Sequence, residues 1–100
     1  LKGINTVVHL AARAHILQDK ATDPEAEFLR VNTEGTVNLV KQSIAAGVKR
    51  FVFMSSIGAM TSSSDRPLTE SSPCQPDTPY GRSKLQAEQA LVQLASQSNM

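Results

Sequence analysis

Tyr80, the chain's only tyrosine, stands behind Pro79 in the stretch PYGRSK, and Lys84 follows four positions later. Residues four apart share one face of a helix. A free tyrosine has a pKa of about 10 and is a poor base at neutral pH. A nearby ammonium, a helix amino end and a cationic cofactor ring would each favour the phenolate. Prepared in that way, a tyrosine exchanges a proton with a substrate oxygen. Ser55 and Ser56 close the run RFVFMSS, and a serine hydroxyl there could hold such an oxygen by a hydrogen bond. A Tyr-x-x-x-Lys match alone is mostly chance. The weight lies in the order: serine at a strand end, a loop, then tyrosine and lysine at a helix start.

The elements around these residues follow from local pattern. TVVHL, residues 6 to 10, is a β-branched apolar run too short for a helix and reads as a buried strand. Thr22 or Asp23 can cap a helix that begins at Pro24, with Glu25 and Glu27 at its positive end. Phe28, Val31, Gly35, Leu39 and Ile44 keep helical spacing, and Gly47 supplies a left-handed stop, so one long helix is predicted over 24–46. RFVFMSS, residues 50 to 56, is a second strand without alternation, as in parallel sheets covered on both faces. Residues 57–78 are rich in Ser, Thr, Pro and Asp and read as a long loop. A second helix starts after Asp77 or Thr78 and runs over 79–96, with Leu85, Ala87, Ala90, Leu91 and Leu94 on its buried side. Strand, helix, strand, loop, helix is α/β organisation, with two parallel strands joined by a right-handed crossover. Two strands do not make a stable sheet, since about three or more are needed. Partners for this sheet are expected from elsewhere.

Composition narrows the function classes. Apolar residues at 40% and charged residues at 19% exclude a disordered chain. A net charge of +1 leaves no footprint for nucleic acid or an anionic membrane. No apolar run approaches a membrane span. One cysteine, Cys74, excludes an internal disulfide and a metal cluster, and suggests a reducing cytoplasm. His9 and His15 lack a third ligand, so no metal is expected. The opening LKGINTVVHLAA has neither a start methionine nor a signal-peptide pattern, as expected of an internal piece of a longer protein.

In an open α/β sheet, ligands lie beyond the carboxyl ends of the strands. The first strand runs out into Leu10, Ala11, Ala12 and Arg13, where small side chains admit a ligand to the backbone. The second runs out into Ser55 and Ser56, at the same sheet edge. Taken singly, the alanines fit tight packing and the serines fit a loop start.

Taken together, VVHLAA, VNTEGTVNLV, KRFVFMSS and PYGRSKLQAEQ resemble the extended short-chain dehydrogenase/reductases, in the branch of NAD-dependent nucleotide-sugar epimerases and dehydratases. The resemblance covers nearly the whole chain in order and spacing. It implies that residues 1–100 are the central part of one Rossmann-type, doubly wound parallel sheet. It implies catalytic roles for Ser56, Tyr80 and Lys84, with Ser56 and Tyr80 also touching substrate. Leu10, Ala11, Ala12, Arg13, Asn32, Tyr80 and Lys84 would line the cofactor, NAD or else NADP. Asn32 is otherwise an odd residue for a helix interior, and Gly35 would mark close packing of its helix on the sheet. The resemblance also implies a homodimer through helices 24–46 and 79–96.

The chain departs from that pattern at two places. The glycine-rich phosphate loop of the family would precede Leu1, so this piece lacks the main anchor for NAD and is expected not to hold it tightly alone. After Ser56 stands IGAM, residues 57–60, where dehydratases of this branch carry an acidic pair. Ala59, Met60 and Thr61 also differ from the Val-Tyr-Gly of many 4-epimerases. A 4-epimerase of UDP-sugar type is nonetheless expected for the parent protein, on the resemblance as a whole. An NAD(P)H-dependent reductase of 4-keto nucleotide sugars, or a non-enzymatic cofactor sensor, is the alternative. AARAH resembles a subset acting on N-acetylated or deoxy sugars, which would bring His15 near substrate. TSSSD, residues 61–65, is either a solvated linker or part of a lid.

Overall fold

The computed structural model describes residues 1–13, 23–61, 64 and 67–100. His15, Thr22 and most of TSSSD lie outside the described residues. Strand β1 (Thr6–His9) pairs in parallel with β2 (Arg50–Phe53), Thr6 beside Arg50 and His9 beside Phe53. The Asn5 carbonyl accepts from the Lys49 and Arg50 amides at 2.9 and 3.2 Å, and Met54 donates to the His9 carbonyl at 3.1 Å. Both strands are shorter than their apolar runs, ending at His9 and Phe53.

Between the strands lies a continuous helix in three parts, α1 (Pro24–Phe28), a π-helical turn (Leu29–Glu34) and α2 (Gly35–Ala45). Asp23 caps it, its carboxylate accepting from the Ala26 amide at 3.2 Å. The expected unbroken α-helix is corrected here: the Gly35 amide donates to the Arg30 carbonyl five residues back, so the turn holds an extra residue. That residue shifts the buried seam by one. Instead of Val31, Gly35 and Leu39, the helix buries Asn32, Thr36, Val40 and Ser43. Gly35 is exposed, and a Cβ there would meet nothing nearer than the Arg30 carbonyl oxygen at 3.7 Å, so close packing does not require it. The helix ends as expected. Gly47 takes φ +82°, its amide reaches the Ile44 carbonyl, and Val48, itself buried, donates to the Ser43 carbonyl.

The segment after β2 is not all loop, for Ile57–Ala59 form a 3-10 turn. Helix α3 (Pro79–Ser96) is capped by Thr78, whose hydroxyl accepts from the Gly81 amide at 2.9 Å. Its buried residues are Gly81, Ser83, Lys84 and Ala87. Leu85, Ala90, Leu91 and Leu94 are only half-buried, because the contacts made by α3 gather at its amino half, on the π-helical turn and the 3-10 turn.

Among the described residues, helices cover one face of the strands. Val7, His9, Phe51 and Phe53 face the helices, while Val8 and Val52 on the other side are 57% and 41% exposed. The described helices all pack on one side of the sheet. Buried apolar residues are Phe28, Val40, Val48, Ala59 and Ala87, and as many buried side chains are polar: Asn32, Thr36, Ser43, Ser83 and Lys84. A core so rich in polar groups must satisfy them internally. The bonds of Asn32, Ser83 and Lys84 lie together at one end of the molecule.

Candidate active site

The 3-10 turn and the start of α3 are in backbone contact. A Cβ on Gly81 would overlap the carbonyl oxygen of Gly58 and sit 3.0 Å from its carbonyl carbon. Glycine at 81 is therefore a condition for bringing α3 onto the exit of β2. The same contact brings the two hydroxyl-bearing side chains together. A point one Cβ bond out from Gly58 lies 3.4 Å from Ser56 Oγ and 3.8 and 3.9 Å from the Cδ2 and Cε2 atoms of Tyr80. Ser56 caps the 3-10 turn, its Oγ accepting from the Gly58 amide at 3.1 Å. With one lone pair so engaged, its proton remains available to a ligand oxygen.

Lys84 lies behind the ring, its Nζ 5.9 Å from the Tyr80 centroid and 4.8 Å from that of Phe53. The ammonium donates to the Met54 carbonyl at 2.9 Å and is buried with the residue 3% exposed. Burial lowers its pKa, and the Glu88 carboxylate pulls in the other direction. Glu88 accepts a 2.6 Å hydrogen bond from Ser55 Oγ. Phe28 meets Tyr80 in a T-shaped contact with ring centroids 6.2 Å apart, and the Arg13 guanidinium lies 5.2 Å from the Phe28 ring centroid.

Asn32 ties the first strand's exit to this assembly. Its Oδ1 accepts from the Arg13 amide at 2.8 Å, and its Nδ2 donates to the Arg13 carbonyl and to Ser83 Oγ, each at 3.0 Å. Ser83 in turn donates to the Tyr80 carbonyl at 2.7 Å, and Thr33 Oγ1 donates to the Ser83 carbonyl at 2.8 Å. Both amide hydrogens of Asn32 are spent inside the protein, so it shapes the Arg13 backbone rather than reaching outward. Leu10, Ala11 and Ala12 are exposed just before it. His9 Nε2 and Thr36 Oγ1 pair at 3.0 Å, and burial first, then the Lys84 charge, lowers the histidine's pKa. Arg82 clamps α3 to α1 through two bonds to Glu25, at 2.8 and 2.7 Å.

Ser56, Tyr80, Lys84, Asn32 and Arg13 thus lie at one end of the molecule. Sequence reasoning missed Ser83, Glu88, Phe28 and the Gly58–Gly81 contact. The spacing Tyr80-x-x-x-Lys84-x-x-x-Glu88 was a readable signal for Glu88, one face over two turns. Gly81 inside a helix start was another. Cys74 is an exposed loop thiol.

The NAD dependent epimerase/dehydratase family matches residues 1–100. The chain belongs to that family. It is 46% identical over its whole length to the UDP-glucose 4-epimerase of Vibrio cholerae, covering 31% of that protein. It is 40% identical over 85% of its length to the dTDP-D-glucose 4,6-dehydratase of Mus musculus, covering 23% of it. Among solved structures, a short-chain dehydrogenase/reductase superfamily protein of Agrobacterium tumefaciens with bound NAD superposes at a TM-score of 0.83. That match has 34% identity over 98% of this chain and 29% of the other. The chain therefore spans about a third or less of each relative. The fold is the α/β, Rossmann-type one of that superfamily, and the family is NAD-dependent.

The donor set of this member suits that cofactor. The β1 exit offers exposed backbone with only alanine methyls at Ala11 and Ala12, and Lys84 gives one of its three N–H donors to Met54. No helix among the described residues is long and apolar enough to cross a membrane.

Proposed function

We propose that this chain is the central part of a longer nucleotide-sugar 4-epimerase of UDP-sugar type, with Ser56, Tyr80 and Lys84 as its catalytic residues. The observation behind it is the convergence of Ser56 Oγ and the Tyr80 ring on Gly58, with the Lys84 ammonium behind the ring. Leu10, Ala11, Ala12 and Arg13, shaped by Asn32, would line NAD together with Tyr80 and Lys84, and NADP is the other nicotinamide that fits this donor set. Bound NAD supplies a reversible hydride acceptor at C4 of the sugar.

The chain's own residues account for the proton. Ser56 donates a hydrogen bond to the C4 oxygen and fixes it beside the phenol. Tyr80 takes the hydroxyl proton as the carbonyl forms, and returns it when the C–H bond is rebuilt on the opposite face. Lys84 places positive charge beside the phenolate during that interval, in a site where burial strengthens the interaction. A 4,6-dehydration needs further acid and base groups, and the turn after Ser56 is Ile57-Gly58-Ala59, without a carboxylate. This favours epimerisation even though relatives of both kinds exist. A homodimer through residues 24–46 and 79–96 and a cytoplasmic location complete the proposal; the exposed Val92, at 69%, suits a helix with a partner.

The test is redox balance. The full-length protein given UDP-glucose should produce its C4 epimer with no net NADH. Stoichiometric oxidation of NADPH with a 4-keto sugar would assign it as a reductase instead, and loss of water at C5–C6 would assign a dehydratase.

A further inference from the structure

We propose that Glu88 is a positioning residue of this centre, holding the exit of β2 in register with Tyr80 and keeping positive charge at Lys84. The inference rests on the function proposed above. Tyr80, Lys84 and Glu88 follow one another at four-residue intervals on α3 and so share a face. Two of them grip consecutive residues of the β2 exit. Lys84 donates to the Met54 carbonyl at 2.9 Å, and Glu88 accepts from Ser55 Oγ at 2.6 Å, a charge-assisted length. Ser56 comes next. Its place relative to the phenol is thus fixed by two side chains from successive turns of the helix that carries the phenol.

The second role is electrostatic. Lys84 is faced by Tyr80 and Glu88 from its own helix, by His9 from β1, and by the Phe53 ring and Met54 carbonyl from β2. Glu88 is the carboxylate in this group. Burial works against the ammonium and Glu88 works for it. A glutamate facing only solvent would do neither job.

The variants E88Q, E88A and S55A separate the two roles in the full-length, NAD-loaded protein. E88Q keeps an oxygen for Ser55 and discards the charge, while E88A discards both. E88A and S55A should each lower kcat roughly tenfold or more through misplacement of Ser56. The double variant should lose no more than either single one. E88Q should recover most of that loss at its pH optimum, with the alkaline limb of its kcat/KM profile displaced to lower pH. An independent readout is the Lys84 signal in the NMR spectrum of 13C-labelled lysine, assigned with K84R and titrated without substrate. Its midpoint should fall in E88Q. An unchanged midpoint, or additive losses in E88A and S55A, overturns the proposal. A wild-type protein without epimerase activity would overturn the function instead, and the lysine titration would still decide the role of Glu88. If E88A fails to fold, E88Q and the titration settle the matter without it.

Discussion

The two strands leave the sheet at the same edge, yet their exits are held in opposite ways. After β2, every residue from Met54 to Gly58 is held: Met54 by Lys84, Ser55 by Glu88, Ser56 to the Gly58 amide, the Ile57 carbonyl by the Met60 amide, and Gly58 against Gly81. After β1, Leu10, Ala11 and Ala12 lie exposed, and Arg13 alone is fastened, through both backbone groups, to the amide of Asn32. The contrast suits the two tasks proposed for these exits. Proton transfer tolerates errors of a fraction of an ångström, so the hydroxyls need a rigid frame. A cofactor surface needs bare backbone and a shape, and one buried amide supplies the shape.

The largest expected effect breaks the β2 side chemically. Y80F in the full-length protein removes the group proposed to move the proton and should lower kcat by about 10²–10⁴-fold with the fold intact. Steady-state kinetics and circular dichroism check it together. G81A comes next and breaks the same side sterically. Its methyl would drive into the Gly58 backbone carbonyl and should cost roughly 1–3 kcal/mol or more. Chemical denaturation measures it, and G58A, whose Cβ would meet only ordinary contacts, is the control.

N32A tests the β1 side. It leaves the Arg13 amide and carbonyl without their partner and Ser83 without a donor, at about 1–3 kcal/mol. If Asn32 shapes the cofactor surface, NAD affinity should fall more in N32A than in G58A, by calorimetry. The smallest effect comes from His9, between the two exits. Its folded pKa is lowered, by burial first and by Lys84 second, so the unfolded chain binds the proton more readily. Its contribution to stability is therefore full above the ordinary histidine value of about 6.5 and is lost as pH falls through the lower folded value. Denaturation midpoints should decline across that window and decline less in H9Q.

How much of this was legible depended on whether a feature was local. Capping by Asp23 and Thr78, the left-handed Gly47 and the Tyr80–Lys84 face are set by near neighbours in the chain, and the pattern of residues announced them. The π-helical turn was not announced. Its Asn32 and Thr33 both bond Ser83, some fifty residues away, and the helix buries Asn32 and Thr36 rather than Val31 and Gly35. Gly81 was visible as a glycine at a helix start, but its partner, the Gly58 carbonyl, belongs to a turn hidden in a stretch that reads as loop. Continuous apolar runs such as RFVF fit a sheet covered on both sides, and the described helices cover one.

The most direct measurement is a crystal structure of the full-length protein with NAD and UDP-glucose. Ser56 Oγ and Tyr80 Oη should both lie within about 2.6–3.2 Å of the sugar's C4 oxygen, with Lys84 Nζ on the far side of the phenol. A sugar whose C4 oxygen is met by neither hydroxyl, or by side chains from elsewhere, would contradict the account.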